Sequence, residues 1–371
     1  MRHANVVITV KMKRRNQMQN VKVIIWGLGA MGGGIANMLL KKKGVDIVGA
    51  VEIGDRVGKS MFDLPIINVE RGDREDVIMG TAEEVIKPGA ADVVIVCTDS
   101  FTKGVFPKLE FVMNQGINVI TSAEEMAYPA AQEPELAAKL DEIAKANGVS
   151  CLGTGINPGH IMDLLVLVMT GCMVDVEHIL SKRVNSLSPF GPTVMEEQGI
   201  GISIEEFNER KANGTMSGHV GFAESVGMIA EGLGLGVDKF AQDMEPIATD
   251  VDRKSPYGFA AAGSCAGVAM TADATLSNGM EVRMEHPQQI EPEQVGINTG
   301  DYVIIKGTPN INMVNSPEVE GGLGTIAMIA NMIPQVINGE PGLHTMISLP
   351  IPRAIMGDMR DRINPEKKIV K

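Results

Sequence analysis

An apolar segment that runs straight into a glycine-rich turn constrains this chain more than any other feature. Residues 21–32 read VKVIIWGLGAMG, and the last six of them have the spacing G-x-G-x-x-G. In such a turn the first glycine permits a tight bend, the second lets backbone approach a pyrophosphate, and the third lets a helix pack on a strand. The predicted cofactor contacts in this turn are Gly27, Gly29, Ala30, Met31 and Gly32.

The segments that follow complete the pattern of a dinucleotide-binding unit. Residues 33–43 have helical character, and the free N–H groups that begin a helix favour phosphates. A second apolar strand, 45–51, ends at Glu52, twenty residues past the last glycine, where an acid binds ribose hydroxyls. Glu52 favours NAD, but Arg56 and Lys59 can offset its repulsion of a 2′-phosphate, so NAD and NADP both stay open. The alternative is a turn that serves packing alone.

Size and composition exclude several classes of protein. The 371 residues are enough for two domains, and 44% hydrophobic with 21% charged residues is ordinary for a globular protein. The net charge is −13 and no basic stripe with interleaved aromatics occurs, so no nucleic-acid partner is expected. The longest purely apolar stretch, 164–169, is too short to span a bilayer, so no membrane partner is expected.

The cysteines and histidines give no sign of a metal site. Cys97, Cys151, Cys172 and Cys265 form no C-x-x-C pair, and the sequence has no H-E-x-x-H motif. The apolar surroundings of the cysteines predict buried free thiols in a reducing compartment, which favours a cytoplasmic protein. No metal is expected.

The first twenty residues differ from the rest, because they carry five basic residues and no acid. The apolar piece 6–10 is too short for a signal peptide, and no small-residue cleavage site follows it. We expect 1–20 to be a disordered basic extension, of which 1–17 precede Met18, a second candidate start.

Residues 21–156 alternate strand and helix as a doubly wound Rossmann domain does, which predicts an α/β fold. Ligands of such sheets bind at the carboxyl ends of the strands. Besides the first two strands, the predicted strands are 91–97, 116–121 and 149–153, and the predicted helices are 81–86, 102–115 and 134–147.

The pattern changes near residue 157 to a second, α+β domain on a mostly antiparallel sheet, 157–320, for substrate binding and oligomerisation. Such sheets often dimerise, so we expect a homodimer or a higher homo-oligomer. The helix 321–338 opens a C-terminal segment, 321–371, which we expect to pack on the first domain. The predicted strands are 174–184, 240–252, 262–274, 280–286 and 301–307, and the predicted helices are 160–169, 203–212 and 220–232.

Three polar residues follow the later strands of the first domain. Cys97, Thr98 and Thr121 are candidates to contact the nicotinamide end of the cofactor, and the threonines are equally good helix N-caps. Glu124 and Glu125 are the acid–base candidates. An ammonium must lose a proton before its carbon releases hydride, and a carboxylate can take that proton. Alternatively, these acids complement a helix dipole.

The substrate candidates lie in the second domain. The predicted helix that begins this domain offers amides for a carboxylate, together with a titratable imidazole, through Asn157, Pro158, Gly159 and His160. Arg183 and Asn185 share one face of a predicted strand, and the guanidinium suits a carboxylate. Further basic candidates are Lys182, Arg253, Lys254 and, more weakly, His286.

Several long motifs together resemble the 2,4-diaminopentanoate dehydrogenase family, and the resemblance covers residues 21–371. The motifs are 27–34 (GLGAMGGG), 122–129 (SAEEMAYP), 153–159 (GTGINPG), 183–192 (RVNSLSPFGP), 195–199 (MEEQG) and 286–292 (HPQQIEP).

This resemblance implies oxidative deamination of the 4-amino group of 2,4-diaminopentanoate in ornithine breakdown. The products would be 2-amino-4-oxopentanoate, ammonia and a reduced nicotinamide. The wider group resembles NAD(P)-dependent amine dehydrogenases, in which a glutamate after this strand activates the amine. That role falls on Glu124 or Glu125, and the resemblance does not choose between them.

The expected fold is similar to that of dihydrodipicolinate reductase, where an asparagine near the linker begins the substrate domain, as Asn157 would here. The sequence lacks that reductase's paired histidines followed by a lysine and its Gly-Thr substrate loop. Two alternatives remain: a related amine or amino-acid dehydrogenase with another substrate, and a nicotinamide-sensing protein without turnover.

Overall fold

The computed structural model describes residues 18–216 and 218–370. The predicted extension over 1–17 lies outside these residues. The chain divides into two compact units: one runs as far as Ile156 and resumes at Gly322, and the other is Asn157–Gly321.

The first unit is built on a parallel sheet with the strand order β15-β6-β5-β4-β1-β2-β3. This order places β1 and β4 side by side at the point where the winding direction reverses, so the predicted doubly wound fold is confirmed. The strands are β1 (Val21–Trp26), β2 (Val45–Val51), β3 (Met79–Gly80), β4 (Val93–Val96), β5 (Asn118–Thr121), β6 (Ser150–Gly153) and β15 (Gly342–His344).

Helices cover this sheet, and the central strands are almost entirely apolar because both of their faces are buried. Val93–Val96 is completely buried. The helices are α1 (Ala30–Leu40), α2 (Ala82–Val85), α3 (Thr102–Asn114), α4 (Pro134–Ala146) and α9 (Gly321–Asn338), of which the part from Gly322 belongs to this unit; single 3₁₀ turns occur at Gly54–Arg56, Met61–Asp63, Glu124–Ala127, Pro129–Ala131 and Met359–Arg362.

The first helix begins earlier than its predicted start at residue 33. Its N-cap is Gly29, and Ala30 is its first residue. Gly33 and Gly34 therefore lie inside the helix, where a β-carbon would come within 2.5 Å of Ile66 and 2.2 Å of Ile326, respectively. Close packing of this helix, and not a turn, accounts for these two glycines.

The C-terminal residues complete the first unit. The strand β15 pairs in parallel with β6 at the edge of the sheet. Further along, the ammonium of Lys368 lies 2.9 Å from the carboxylate of Asp92, and both side chains are almost fully buried. Asp92 also accepts the backbone N–H groups of Lys22 and Val370, at 2.8 and 2.9 Å. The end of the chain is thereby attached to the strands of the sheet.

The second unit contains a mixed sheet with the order β14-β13-β7-β12-β11-β8. Its strands pair antiparallel except for β7 and β12, which are parallel, so the predicted mostly antiparallel sheet is confirmed. The strands are β7 (Asp175–Ser186), β8 (Val237–Ala248), β11 (Cys265–Leu276), β12 (Glu281–Gln289), β13 (Gly300–Thr308) and β14 (Ile311–Asn315), with a small hairpin of β9 (Arg253–Lys254) and β10 (Phe259–Ala260).

Helices of this unit pack on one another and on the sheet. They are α5 (Leu164–Thr170), α6 (Pro192–Glu197), α7 (Ile204–Ala212) and α8 (Phe222–Gly232), with a 3₁₀ turn at Pro292–Val295. The helix predicted over 160–169 is present, but its predicted start at His160 was wrong. The helix begins at Leu164, because the carboxylate of Asp163 caps it by accepting the Leu164 N–H at 2.6 Å.

The cysteines are all free thiols. Cys151 and Cys265 are buried, as the sequence predicts. The prediction was wrong for Cys172, which is exposed because it follows α5 in a surface turn, and Cys97 is only partly buried.

Candidate active-site residues

The three glycines of the turn after β1 serve different physical purposes. Gly27 has φ +92°, a conformation that favours glycine, and a β-carbon there would lie 2.8 Å from Thr98 Cγ2. A β-carbon on Gly32 would lie 1.9 Å from the Gly27 carbonyl oxygen, so the first turn of α1 can close only with glycine. At Gly29, by contrast, a β-carbon would meet nothing within 4 Å. The fold does not need glycine there, but a pyrophosphate that approaches the backbone would.

Glu52, at the end of β2, is fixed by the turn itself. Its carboxylate accepts the Leu28 N–H at 2.5 Å and pairs with the guanidinium of Arg56 at 3.0 Å. Lys59 pairs with Asp55 at 3.4 Å. Both basic side chains predicted to offset repulsion of a 2′-phosphate therefore already face a carboxylate.

The polar residues after β4 and β5 take different positions. The hydroxyl of Thr98 is exposed and accepts a hydrogen bond from Lys108 Nζ at 2.7 Å, so it is not an N-cap. The hydroxyl of Thr121 is buried and accepts the Ala123 N–H at 3.1 Å. Burial raises the pKa of the Cys97 thiol to about 12, so this group is neutral at physiological pH. Their contacts with a cofactor stay predictions.

The two adjacent glutamates differ in burial, and the carboxylate of Glu125 has identified hydrogen-bond donors. One carboxylate oxygen of Glu125 accepts the Thr102 N–H at 2.7 Å at the start of α3, and the other lies 3.5 Å from Gln132 Nε2. Glu125 is only 9% exposed. Glu124 is partly exposed, at the carboxyl end of β5. Glu125 therefore stabilises the start of a helix, and Glu124 is the better placed of the two to meet a ligand.

The turn that carries Glu124 is held against β6. A β-carbon on Gly153 would come within 2.2 Å of the Met126 carbonyl oxygen. Only glycine at the end of β6 lets the Glu124–Ala127 turn lie this close. The backbone that carries Glu124 is thus fixed by packing.

A chain of hydrogen-bonding side chains crosses the second unit. Asn157 Nδ2 lies 3.1 Å from His219 Nε2 and 3.3 Å from His286 Nδ1, and His286 Nε2 lies 3.2 Å from Asn185 Oδ1. The two imidazole rings stack, with centroids 4.7 Å apart and planes 8° apart. Because the amide nitrogen of Asn157 can only donate, both ring nitrogens that face it accept. The proton of His286 then lies on Nε2 and is donated to Asn185.

The surroundings of His219 and His286 favour the neutral form of both imidazole rings. Burial, together with the smaller effect of the Arg183 charge, lowers the pKa of His219 to about 4. Burial, the neighbouring His219 and Arg183 hold the pKa of His286 well below its usual range. Neutral imidazoles are what the hydrogen-bond pattern requires, because a protonated ring has no acceptor nitrogen.

Arg183 is not available as a free cation. Its guanidinium pairs with the carboxylate of Asp301 and donates to the Val319 carbonyl, and the side chain is 2% exposed. Val319 and Asn315 Nδ2 donate to the other oxygen of Asp301, at 2.8 and 3.2 Å. These contacts favour a positioning role for Arg183 over the predicted clamp on a substrate carboxylate.

The segment 157–160 forms turns ahead of α5. The Gly159 N–H donates to Asp163 at 2.7 Å, so this amide, predicted to be free for a ligand, already has an internal acceptor. Pro158 lies against Gly221, where a β-carbon would be 2.5 Å from its Cδ. Burial lowers the pKa of His160, although Asp163 and Asp301 oppose this shift. Its Nδ1 is buried without a hydrogen-bond partner among the described residues.

The other basic candidates do not belong to this series of hydrogen-bonded side chains. Lys182 pairs with Glu285 at 3.2 Å on the opposite face of β7 from Arg183. Arg253 is buried and donates to Thr249, to Gln289 and to the Ile290 carbonyl. Lys254 is exposed.

His219 and its partners were not evident from the sequence. His219 lies in no motif, and its ring meets His286 across 66 intervening residues. Within the described part of the chain, no group of three or more His, Cys, Asp or Glu residues has a geometry that could hold a metal ion. Over the same residues, no helix is both long and apolar enough to cross a membrane.

Comparison with known proteins decides the family. The family model "2,4-diaminopentanoate dehydrogenase C-terminal domain" matches residues 160–365. The 2,4-diaminopentanoate dehydrogenase of Acetoanaerobium sticklandii is 66% identical over 355 residues, which are 95% of this chain and 100% of that protein. The chain belongs to the 2,4-diaminopentanoate dehydrogenase family. The resemblance read from the sequence motifs is confirmed.

Solved structures place this family member among dehydrogenase folds. The amine dehydrogenase of Mycobacterium smegmatis is 25% identical, with a TM-score of 0.80 over 91% of this chain and 98% of that one. The myo-inositol dehydrogenase of Lactobacillus casei, solved with NAD(H) and myo-inositol, is 11% identical, with a TM-score of 0.53 over 88% and 89% of the two chains. The second likeness is one of fold.

Proposed function

We propose that this protein catalyses the NAD-dependent oxidative deamination of the 4-amino group of 2,4-diaminopentanoate. The products are 2-amino-4-oxopentanoate and ammonia. The observation that carries the proposal is the 66% identity over the full length of a protein named for this activity. The glycine turn with Glu52, and an acid at the end of β5, supply the chemistry that the reaction needs.

The cofactor preference follows from charge. A nicotinamide dinucleotide, when bound, supplies the hydride acceptor. Its pyrophosphate would lie in the open space over Gly29, and the hydroxyls of its adenosine ribose would bind the carboxylate of Glu52. Arg56 pairs with the carboxylate of Glu52 and Lys59 with that of Asp55, which reduces the attraction of both cations for a 2′-phosphate. We therefore propose NAD as the preferred cofactor, with NADP used less well.

Glu124 acts as the base in this mechanism. The C4 ammonium of the substrate gives one proton to the Glu124 carboxylate, and the freed lone pair then assists the departure of hydride from C4. The same carboxylate, once it passes its proton to solvent, stabilises the iminium cation that forms. Addition of one water and loss of ammonia give the C4 ketone. Glu125 takes no part in these steps, because its oxygens hold α3 and Gln132.

The second unit carries further candidate contacts for the substrate. We propose that Asn157, Pro158 and His160 lie against it, and that Asn185 and Arg183 position their neighbours. Support comes from the buried hydrogen bonds of Asn185 and Arg183 to partners within the unit, and from the partly exposed side chains of Asn157 and His160. Gly159 acts through Asp163.

Cellular location and assembly are further parts of the proposal. Four free thiols fit a reducing compartment, so we propose a cytoplasmic enzyme. We also propose a homodimer or a higher homo-oligomer, supported by the exposed edge strand β8, which carries the exposed apolar side chains of Val237 and Phe240. Sedimentation equilibrium of the purified protein tests the second point, and a monomer would contradict it.

One relative favours a second candidate. The amine dehydrogenase likeness, at 25% identity and a TM-score of 0.80, supports a related amine as the substrate. Both candidate substrates are tested by measuring NAD reduction with 2,4-diaminopentanoate and with a panel of simple secondary alkyl amines. Turnover of the diamino acid alone supports the first candidate, and turnover of the simple amines alone supports the second.

A further inference from the structure

The inner face of the second sheet presents polar side chains in an otherwise apolar layer. Arg183 and Asn185 alternate along β7, as do His286 and Gln288 along β12, so each pair lies on one face of its strand. The hydrogen bond between His286 and Asn185 shows that both pairs lie on the same face of the sheet. Gln288 stands directly opposite Asn185 in the register.

Three amide atoms around this face have no hydrogen-bond partner among the described residues, although each is buried. They are Asn157 Oδ1, Gln198 Oε1 and Gln288 Nε2. Gln198 and Gln288 are 6% and 7% exposed. A buried polar atom without a partner costs folding free energy, and native proteins keep few of them. Unpartnered amide atoms of this kind are available to hydrogen-bond a polar ligand.

Hydrogen bonds and strand pairing within the unit link the segments that carry these amides. Gln198 Nε2 donates to the Gly218 carbonyl at 3.0 Å, next to His219. The backbone N–H of His219 donates to the sulfur of Met270, and Met270 stands opposite His286 in the sheet. Both hydrogens of Asn157 Nδ2 are used by the stacked rings, which fixes the direction of Oδ1.

The chemistry of the array is that of a zwitterion site. Asn157 Oδ1 and Gln198 Oε1 accept hydrogen bonds, as an ammonium requires. Gln288 Nε2 donates, and so does Nδ1 of His219, because its Nε2 accepts from Asn157. The cation of Arg183 is already neutralised by Asp301. Two donors and two acceptors without net charge match one carboxylate next to one ammonium.

We propose that this array binds the α-amino acid end of the substrate, with the carboxylate on Gln288 and His219 and the C2 ammonium on Asn157 and Gln198. The array would then determine specificity for an amine that carries an α-amino acid group. His286 and Asn185 are positioning residues, which orient Asn157. The inference deepens the proposed function and rests on it for the identity of the ligand.

Direct binding of 2-aminopentanoate tests the array without turnover. This amino acid has the α-amino acid end and no C4 amine, so it binds and cannot react. By calorimetry with NAD present, we expect binding to the wild type, and a Kd raised at least about tenfold by Gln288→Leu or Gln198→Leu. The control Gln242→Leu makes the same change on the exposed strand β8 and leaves the Kd unchanged.

A variant of His219 separates positioning from folding. His219→Phe keeps an aromatic ring against Phe222, whose centroid is 5.7 Å away, and removes both ring nitrogens. This variant should weaken 2-aminopentanoate binding as strongly as Gln288→Leu and Gln198→Leu do, while the Kd for NAD stays at the wild-type value. An unchanged Kd for 2-aminopentanoate in the Gln288 and Gln198 variants, or no binding to the wild type, would overturn the proposal.

The two proposals fail in different ways. If the wild type does not oxidise 2,4-diaminopentanoate but binds 2-aminopentanoate through Gln288, the assigned reaction is wrong and the array stands. If it oxidises 2,4-diaminopentanoate and the Gln288 and Gln198 variants bind 2-aminopentanoate as the wild type does, the reaction stands and the array assignment is wrong.

Discussion

The carboxylate of Glu125 accepts the backbone N–H of Thr102 at 2.7 Å, and this bond distinguishes two neighbouring glutamates that the sequence alone leaves equivalent. A carboxylate that holds the first turn of α3 is committed to structure. Glu124, one residue earlier, is partly exposed at the end of β5. The assignment of the base therefore rests on what Glu125 already binds.

Glu124→Gln should lower kcat by roughly 10²–10⁴, because an amide cannot take the ammonium proton. The Kd for NAD, measured by fluorescence titration, should stay at the wild-type value, since the glycine turn and Glu52 are unchanged. Glu125→Gln is the matched control. Its amide oxygen still accepts the Thr102 N–H, so it should keep most of its turnover. An inactive Glu125→Gln beside an active Glu124→Gln would reverse the assignment.

Gly29→Val should abolish NAD binding and leave the fold intact. A side chain there meets no protein atom within 4 Å at its β-carbon, but it fills the space expected for the pyrophosphate. Equilibrium dialysis with NAD and the thermal midpoint of unfolding measure the two effects. Gly32→Ala provides the contrast, because its β-carbon would clash at 1.9 Å with the Gly27 carbonyl, so this variant should lose stability first. Normal NAD affinity in Gly29→Val would remove the turn from the cofactor site.

Lys368→Met should lower the free energy of unfolding by about 3–5 kcal/mol, because it leaves the buried carboxylate of Asp92 without its cation. Lys367→Met is the control one residue away. Lys367 pairs with Glu340, whose side chain is 82% exposed, and such a pair contributes about 0–1 kcal/mol. Urea unfolding of both variants makes the comparison. Equal effects would mean that the C-terminal residues do not anchor the first unit.

Stability should fall as the pH drops from about 6.5 towards 4. Burial lowers the pKa of His219, His286 and His160 in the folded state, so the unfolded chain binds more protons in this range. Their stabilising effect is complete above the unfolded pKa and is lost below it, by at most about 1.4 kcal/mol per pH unit for each ring. His219→Phe should show a shallower decline in the urea midpoint. An identical decline would mean that His219 is protonated in the folded protein.

The regular elements were well predicted where local pattern alone determines them. The strand β2 and the helix α9 have the predicted bounds, since each is a continuous apolar or amphipathic run between clear breaks. The early start of α1 was missed because residues 30–32 belong to the glycine motif and were assigned to the turn, whereas they form the first turn of the helix. The small size of Gly33 and Gly34 is explained by close contact with Ile66 and Ile326, which are distant in the sequence. The short edge strands β14 and β15 were also missed, because few residues carry their signal.

The parts of the candidate site that follow a local sequence pattern were predicted, and the parts that depend on distant residues were not. The glycine turn and Glu52 follow a fixed local spacing. The charge of Arg183 is neutralised by Asp301, which lies 118 residues further along the chain. No local sequence pattern reveals this pairing. The start of α5 depended on one side chain, because Asp163 caps the helix and also binds Gly159. A residue distant in the sequence therefore decided the role of Arg183, whereas a single local side chain decided where α5 begins.

Nicotinamide reduction by the purified protein with 2,4-diaminopentanoate tests the central claim most directly, with NAD and NADP run in parallel. The account predicts rapid formation of reduced cofactor, one ammonia released per hydride transferred, and a higher kcat/KM with NAD than with NADP. No reduction with either cofactor, by protein shown to bind NAD, would contradict it.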